Sequence, residues 1–225
     1  MDTFLVTVLT LQIALVATVV NVPIAVGLSW LIIKKRVRGS FVLDIVASLP
    51  LALPPVVVGY LLLILLGKNG PIGGLINSLF GAEVVFTWVA AALAAAIVSF
   101  PLMARTIMVS MRGVDDGLER SARSLGASAW RVFFTITIPL AYRGILAGVL
   151  LGFVRAMSEF GATIIVAGSI PGRTQTLPLA IFSRVQLGDN DVALRLVVVS
   201  VGLAIVTLAL HNWLLERSQE KSNSR

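Results

Sequence analysis

Residues 119–139 read ERSARSLGASAWRVFFTITIP, a polar, arginine-rich segment between two long hydrophobic stretches. One of these stretches, residues 84–104, precedes the segment, and the other, residues 142–168, follows it. Several charges so close together are too costly for the hydrocarbon core of a membrane, so the segment has to lie in water. The segment is therefore a loop between two membrane spans, and a soluble partner can reach it.

The composition of the chain places it in a bilayer. Of its 225 residues, 57% are hydrophobic and only 13% are charged, and the mean hydropathy is +0.97. A soluble domain carries charges on roughly a quarter of its residues, and without them it would expose aggregating apolar patches. The chain has no cysteine and one histidine, which excludes disulfides and cysteine nucleophiles and argues against a zinc centre.

Four uncharged stretches are long enough to cross the membrane, since about 20 apolar residues are needed for one crossing. They are residues 3–33, 45–67, 84–104 and 196–215. The 142–168 stretch must cross as well, because otherwise the loops on its two sides would lie on inconsistent faces of the membrane. The sequence therefore predicts an all-α integral membrane protein with about five transmembrane helices, forming a single domain over residues 1–225.

The basic residues indicate which ends of the spans face the cytoplasm. Thirteen of the 18 Lys and Arg residues fall on one side, namely after the first span, in and around the 112–135 loop, and on the tail at 216–225. Positive residues favour the cytoplasmic side, so we expect the N-terminus outside and both the loop and the C-terminal tail inside. This distribution explains the net charge of +7 by the membrane topology. We therefore expect contact with membrane lipid and no nucleic-acid partner.

The polar loop has the pattern of a helix, a glycine break and a second helix. Asp115 suits a helix start before residues 117–125, and Gly126 permits a turn with positive φ. A second short helix is expected at 128–134, and Pro139 then restarts the hydrophobic run. An amphipathic helix in this position fits a groove on another protein or rests on lipid headgroups, and the residues alone leave both open.

Three prolines, Pro50, Pro54 and Pro55, lie near the start of the second span. Each removes a backbone hydrogen-bond donor and hinders continuation of the helix. The pattern fits either a bent helix or a re-entrant segment that lines an aqueous path. Pro54 and Pro55 are therefore candidate pathway residues.

Arg155 and Glu159 place two charges inside the fifth hydrophobic stretch. At a spacing of four they lie on one face of a predicted helix, where they can neutralise each other as a structural ion pair. An intramembrane charge is also a functional candidate. In that interpretation the pair lines an outer gate for an ion together with Ser158, Gly161 and Thr163.

Motifs for catalysis and nucleotide binding are absent from the sequence, which has no G-x-x-x-x-G-K-[ST] phosphate loop, no G-x-S-x-G elbow and no H-E-x-x-H helix. We therefore expect a protein that is not an enzyme, so that any nucleotide energy comes from a separate polypeptide. A secondary anion transporter or channel that works without ATP is the alternative class. It would need coupling-ion sites, inverted repeats or a charged filter, and no internal repeat is found.

The polar loop resembles the cytoplasmic motif of permease subunits of binding-protein-dependent ABC importers. That motif is E-A-A-x-x-x-G, then nine further residues, then I-x-L-P, and this chain keeps Gly126 and Pro139 at the motif's spacing. Arg120 replaces the motif's glutamate, with Glu119 one place earlier, and Ser121 replaces the first alanine.

Further matches extend over nearly the whole chain and narrow the resemblance to molybdate permease subunits. Sulfate permeases look less similar around the paired prolines, and tungstate permeases are not separated from molybdate permeases by the sequence. The matching segments are residues 49–60, 99–102, 130–135, 158–163 and 170–174.

The resemblance implies the type I ABC importer permease fold in the plasma (inner) membrane of a prokaryote, with a cytoplasmic helix that couples to an ATPase. It implies a homodimer of this chain, two copies of an ABC ATPase that carry ATP and Mg²⁺, and an extracytoplasmic oxyanion-binding protein, with no cofactor or metal on the chain itself. The residues expected to couple to the ATPase are Glu119, Arg120, Ser121, Ala122, Leu125, Gly126, Trp130 and Pro139. The candidate pathway or gate residues are Arg155, Ser158, Glu159, Gly161, Thr163, Pro54 and Pro55.

Overall fold

Helices account for the regular secondary structure of the protein. The computed structural model describes residues 3–33 and 39–223, with side chains described as far as residue 213. Eleven α-helices and one π-helical turn follow each other in those ranges, and no strand is found there. They are α1 (Thr3–Ile33), α2 (Ser40–Ala52), α3 (Pro55–Leu66), α4 (Pro71–Phe80), α5 (Trp88–Arg112), α6 (Asp116–Ser124), α7 (Ala129–Val132), the π turn (Phe133–Thr137), α8 (Ile138–Met157), α9 (Gly161–Val166), α10 (Leu177–Gln186) and α11 (Asn190–Asn223).

The membrane spans agree with the expected number when one broken span is included. Within the described residues, four continuous helical segments are long and apolar enough to cross a membrane, namely Thr3–Ile33, Trp88–Arg112, Ala129–Met157 and Asn190–Trp213. Helices α2 and α3 satisfy the same criterion only as a pair. The all-α membrane fold is therefore confirmed, with four spans, or five when the α2–α3 pair counts as one broken span.

The division of the second span results from consecutive prolines. Helix α2 ends at Ala52, Leu53 and Pro54 have extended backbones, and α3 begins at Pro55. A residue before proline is pushed out of the helical region, and here this happens at two successive positions. The two helices meet at 109°, which is a sharp break and not a gentle bend. Pro50, in contrast, lies inside α2 without ending it.

The span predicted at residues 142–168 differs from its predicted limits. It does not begin near residue 142, and the second short helix predicted at 128–134 does not end before Pro139. Instead, the helix runs without a break from Ala129 to Met157. Proline lacks an N–H, and its ring would collide with the carbonyl four residues earlier in a regular α-helix. The wider π turn before Pro139, in which the Ile138 N–H donates to the Phe133 carbonyl, lets the helix continue.

Helix α5 forms the centre of the fold and packs against both α1 and α8. Its N-terminal half is rich in buried alanines, which let neighbouring backbones approach closely. Gly148 and Gly152 of α8 face it, and a Cβ atom at Gly152 would lie 2.5 Å from Met103 Cε. On the other side, Asn21 Nδ2 of α1 donates to the Ala96 carbonyl at 2.8 Å. Small residues and a few polar bonds of this kind hold helices together in lipid.

Gly59 provides a test of the contact between α3 and α9. A Cβ atom there would lie 2.6 Å from the Ala162 carbonyl oxygen and 2.8 Å from its Cα. Overpacking typically costs about 1–3 kcal/mol, so we expect Gly59→Ala to lower the thermal unfolding midpoint of the purified protein in detergent. Gly202→Ala in α11 is the matched control, because a Cβ atom at Gly202 has no neighbour within 4 Å. Equal midpoints for the two variants would contradict this packing.

Candidate functional site

Helix α6 has a defined start and a defined end. Asp115 Oδ1 accepts the Gly117 N–H at 2.7 Å, which caps the first turn. At the other end, Gly126 has φ +88°, and its N–H donates to the Arg123 carbonyl at 2.9 Å while the Ala127 N–H donates to the Ala122 carbonyl at 3.0 Å. These two bonds form a Schellman motif, which needs a left-handed residue at this position. The prediction of a glycine turn with positive φ is confirmed.

An aromatic cluster attaches the next helix to the end of α1. The Trp30 ring lies 4.8 Å from that of Trp130 and 4.9 Å from that of Phe133, measured between ring centroids. Trp30 is buried. The sequence alone does not place Trp30 in this region, because the contact joins residues far apart in the chain. The only local signal of Trp30 is its position at the end of a hydrophobic stretch.

The outer side of this region combines apolar and basic side chains. Leu125, at the end of α6, has 89% of its surface exposed. Its neighbours Arg120 and Arg123 are exposed as well, as are Ser121, Gly126 and Pro139, while Ala122 is half-buried. We call this the α6–α7 surface, and it consists of Leu118, Arg120, Arg123, Leu125, Trp130, Arg131 and Phe134.

Glu119 does not belong to that surface. Its exposed fraction is 6%, and Thr137 Oγ1 of the π turn donates to its Oε1 atom at 2.7 Å. The carboxylate therefore points towards the protein, while Leu118 and Arg120 on either side are exposed. The roles of these residues in coupling stay predictions.

A second candidate site lies at the far end of α8. Arg155 Nη1 and Glu159 Oε2 are 2.8 Å apart, so the predicted pairing is confirmed. The prediction that both lie on one helix face is wrong, because α8 ends at Met157 and Glu159 lies in the break before α9. Glu159 is buried, and its other oxygen, Oε1, accepts the Ala162 N–H at 2.8 Å. The carboxylate thus satisfies a backbone donor that the break would leave unpaired.

The break before α9 lies beside the break before α3. A Cβ atom at Gly161 would be 3.0 Å from Pro55 Cβ. Pro54 and Ser158 are exposed, with Ser158 Oγ donating to the Arg155 carbonyl at 3.1 Å, and Thr163 is buried. The structure therefore brings the predicted pathway residues of the two spans together, while their function stays a prediction. Among the described residues, no cluster of three or more His, Cys, Asp or Glu side chains could hold a metal.

The fold is shared with ABC importers. A chain of the crystal structure of a bacterial alginate ABC transporter, in complex with an alginate pentasaccharide-bound periplasmic protein, is similar with a TM-score of 0.73. The match covers 95% of this chain and 78% of that chain at 17% sequence identity. At this identity the similarity shows the fold, which is that of type I ABC importer permeases.

The family is established by sequence. Residues 21–219 match the binding-protein-dependent transport system inner membrane component family, and the chain belongs to this family of multi-pass membrane proteins. The chain is 45% identical to the molybdenum transport system permease protein ModB of Haemophilus influenzae, over 95% of this chain and 93% of that protein. It is 33% identical to the sulfate transport system permease protein CysW of Synechococcus elongatus, over 95% of this chain and 74% of that protein. The resemblance to molybdate permeases is thus confirmed.

The ion pair at the far end of α8 leads to a prediction. We expect Arg155→Met and Glu159→Gln each to lower stability, and the double variant to lose less than the sum of the two. The reason is that each single change leaves the other member of the pair without its partner, with an interaction energy of about 1 kcal/mol or more. The thermal unfolding midpoint in detergent is measured for the wild type, the two single variants and the double variant. Additive effects would show that the two side chains do not interact.

Proposed function

We propose that this chain is the membrane-spanning permease subunit of an ATP-driven ABC importer that carries an oxyanion, molybdate, into the cytoplasm. The observation that carries the proposal is 45% identity to a molybdenum transport permease over 95% of this chain. Two sulfate permeases are 33% identical over 95% of this chain and 37% identical over 90%. The difference therefore lies in the sequence and not in the length compared.

The energy for transport would come from a separate ABC ATPase, present in two copies, which binds ATP and Mg²⁺. Three findings support this part of the proposal. The chain has no phosphate-binding loop of its own, its family consists of inner membrane components of binding-protein-dependent transport systems, and its α6–α7 surface offers apolar side chains to a partner. An extracytoplasmic oxyanion-binding protein would deliver the substrate, and a second copy of this chain would complete the transmembrane part.

The composition of the α6–α7 surface indicates how the ATPase would recognise it. Leu125 is almost fully exposed, and an apolar side chain in that position is stabilised when a partner's groove covers it. The exposed Arg120 and Arg123 lie close to it in the chain, so the rim of the groove would be acidic.

The connection between this surface and the membrane would make the docking useful. From Ala129 the helix continues to Met157 without a break, so a displacement of the α6–α7 surface is passed to a whole span. ATP-driven closure of the two ATPases would bring the two copies of the surface together and turn the pathway from inward-facing to outward-facing. Such a switch requires that ATP and the binding protein bind the two states with different affinities.

The pathway is proposed to pass the two adjacent helix breaks, on the side of Pro54 and Ser158. Arg155 is neutralised by Glu159 there, so an oxyanion would be attracted only weakly and could leave again, as conduction requires. The orientation, with the N-terminus outside and the C-terminus in the cytoplasm, rests on the distribution of Lys and Arg.

The oxyanion itself is tested by reconstitution with the partner ATPase and binding protein. We expect molybdate to stimulate ATP hydrolysis and ATP-dependent uptake more than sulfate, with tungstate close to molybdate because the two have nearly the same size and charge. Stronger stimulation by sulfate would reassign the importer to that anion. Uptake that persists without ATP and follows an ion gradient would support a secondary transporter instead.

The docking of the ATPase is tested at Leu125. We expect Leu125→Asp to reduce the amount of ATPase that copurifies with the permease by about tenfold or more, since a carboxylate would enter an apolar groove with an acidic rim. Leu187→Asp is the matched control, because Leu187 follows α10, outside the α6–α7 surface, and is also highly exposed. Equal losses of ATPase from the two variants would count against the α6–α7 surface as the docking site.

A further inference from the structure

We propose that Glu119 is a positioning residue for the coupling helix: its buried carboxylate, bound by the hydroxyl of Thr137, sets α6 on the π turn at the base of the α8 span. The inference rests on the proposed function and deepens it. It assigns to Glu119 a task inside the chain, in place of a direct contact with the ATPase.

The burial of Glu119 separates it from the rest of its helix. Helix α6, which lies wholly within the described residues, has Glu119 as its one buried residue. Glu119 is thus the side chain of α6 that the rest of the protein covers most fully. A buried carboxylate is costly unless it is hydrogen-bonded, and the bond from Thr137 Oγ1 at 2.7 Å supplies such a partner.

The behaviour of Thr137 shows that this bond is specific. In a helix, a threonine hydroxyl commonly donates to the carbonyl four residues earlier. Thr135 does so at 2.6 Å, and Thr106 and Thr207 do so at 2.9 and 2.8 Å. Thr137 donates across to α6 instead, while the carbonyl four residues before it, that of Phe133, accepts the Ile138 N–H in the π turn.

The position of Thr137 means that the bond connects α6 to the start of α8. Thr137 is the last residue of the π turn, and α8 begins at the next residue. The aromatic contacts of Trp130 and Phe133 with Trp30 attach the start of the same helix to α1. The Glu119–Thr137 bond is thus a direct side-chain link between α6 and the base of the span, in addition to the backbone that passes through Gly126.

The test compares single-residue variants in the complete complex of permease, ATPase and binding protein. Thr137→Val replaces the hydroxyl by a methyl group of similar size, and Thr137→Ser retains the hydroxyl. We expect Thr137→Val to lower the number of molybdate ions taken up per ATP hydrolysed by about tenfold, which corresponds to the loss of one hydrogen bond to a charged group. Thr137→Ser should restore most of this ratio.

Thr135→Val is the matched control, because it removes a hydroxyl from the same turn that bonds only within its own helix. We expect it to leave the uptake-to-hydrolysis ratio unchanged. All ratios are measured at equal amounts of assembled complex, so that a loss of folded protein does not count as uncoupling.

A double-mutant cycle adds an independent readout. Glu119→Leu and Thr137→Val together remove both members of this hydrogen bond, so the double variant should lose less than the sum of the single losses. Additive losses, or equal ratios for Thr137→Val and Thr135→Val, would overturn the positioning role. If the Glu119→Leu variant does not assemble into the complex, the uptake-to-hydrolysis ratios of Thr137→Val and Thr137→Ser test the positioning role without it. Absence of ATP-dependent uptake by the wild-type complex would instead overturn the proposed function.

Discussion

The need to satisfy every backbone hydrogen bond away from water is the constraint on which the rest of this structure depends. In a bilayer a helix can stop only where something replaces its missing partners. At the break before α9, the carboxylate of Glu159 takes the Ala162 N–H. At Pro139 the π turn keeps the helix running. These two solutions have opposite consequences, because the first allows a break between two helices and the second keeps one helix continuous.

The continuous helix Ala129–Met157 connects the polar α6–α7 region to the membrane-spanning part of the protein. From Ala129 onward, one helix carries the aromatic cluster at its start and the small-residue contact with α5 further along. At its far end it reaches the Arg155–Glu159 pair, beside the break at Pro54. In the proposed importer, this continuous helix would transmit a displacement from the α6–α7 surface to the proposed pathway. This continuous helix ends at the break between α8 and α9.

The sequence predicts the parts of this arrangement that depend on local or charge signals. Uncharged stretches mark the spans, the spacing of Arg155 and Glu159 indicates a pair, and Gly126 indicates a left-handed turn. Each of these signals comes from residues close together in the chain. The continuity of the helix through Pro139 is not predictable in this way, because proline is equally compatible with a helix start. The contact of Trp30 with Trp130 is missed for a related reason, since it depends on how two distant helices pack.

Glu119 and Arg120 are adjacent in α6 but have different surroundings, since Glu119 is buried and Arg120 is exposed. Successive residues on an α-helix are separated by roughly 100° around its axis. An acid at position 119 is therefore turned inward, where it meets Thr137, while the following position faces outward and holds Arg120. The motif that this loop resembles has glutamate at the position of Arg120. In this chain position 120 carries the opposite charge, so in the proposed complex the ATPase would offer an acid to Arg120. Arg120 would then contribute to the specificity between permease and ATPase, while Glu119, in its proposed role, would position the helix that carries it.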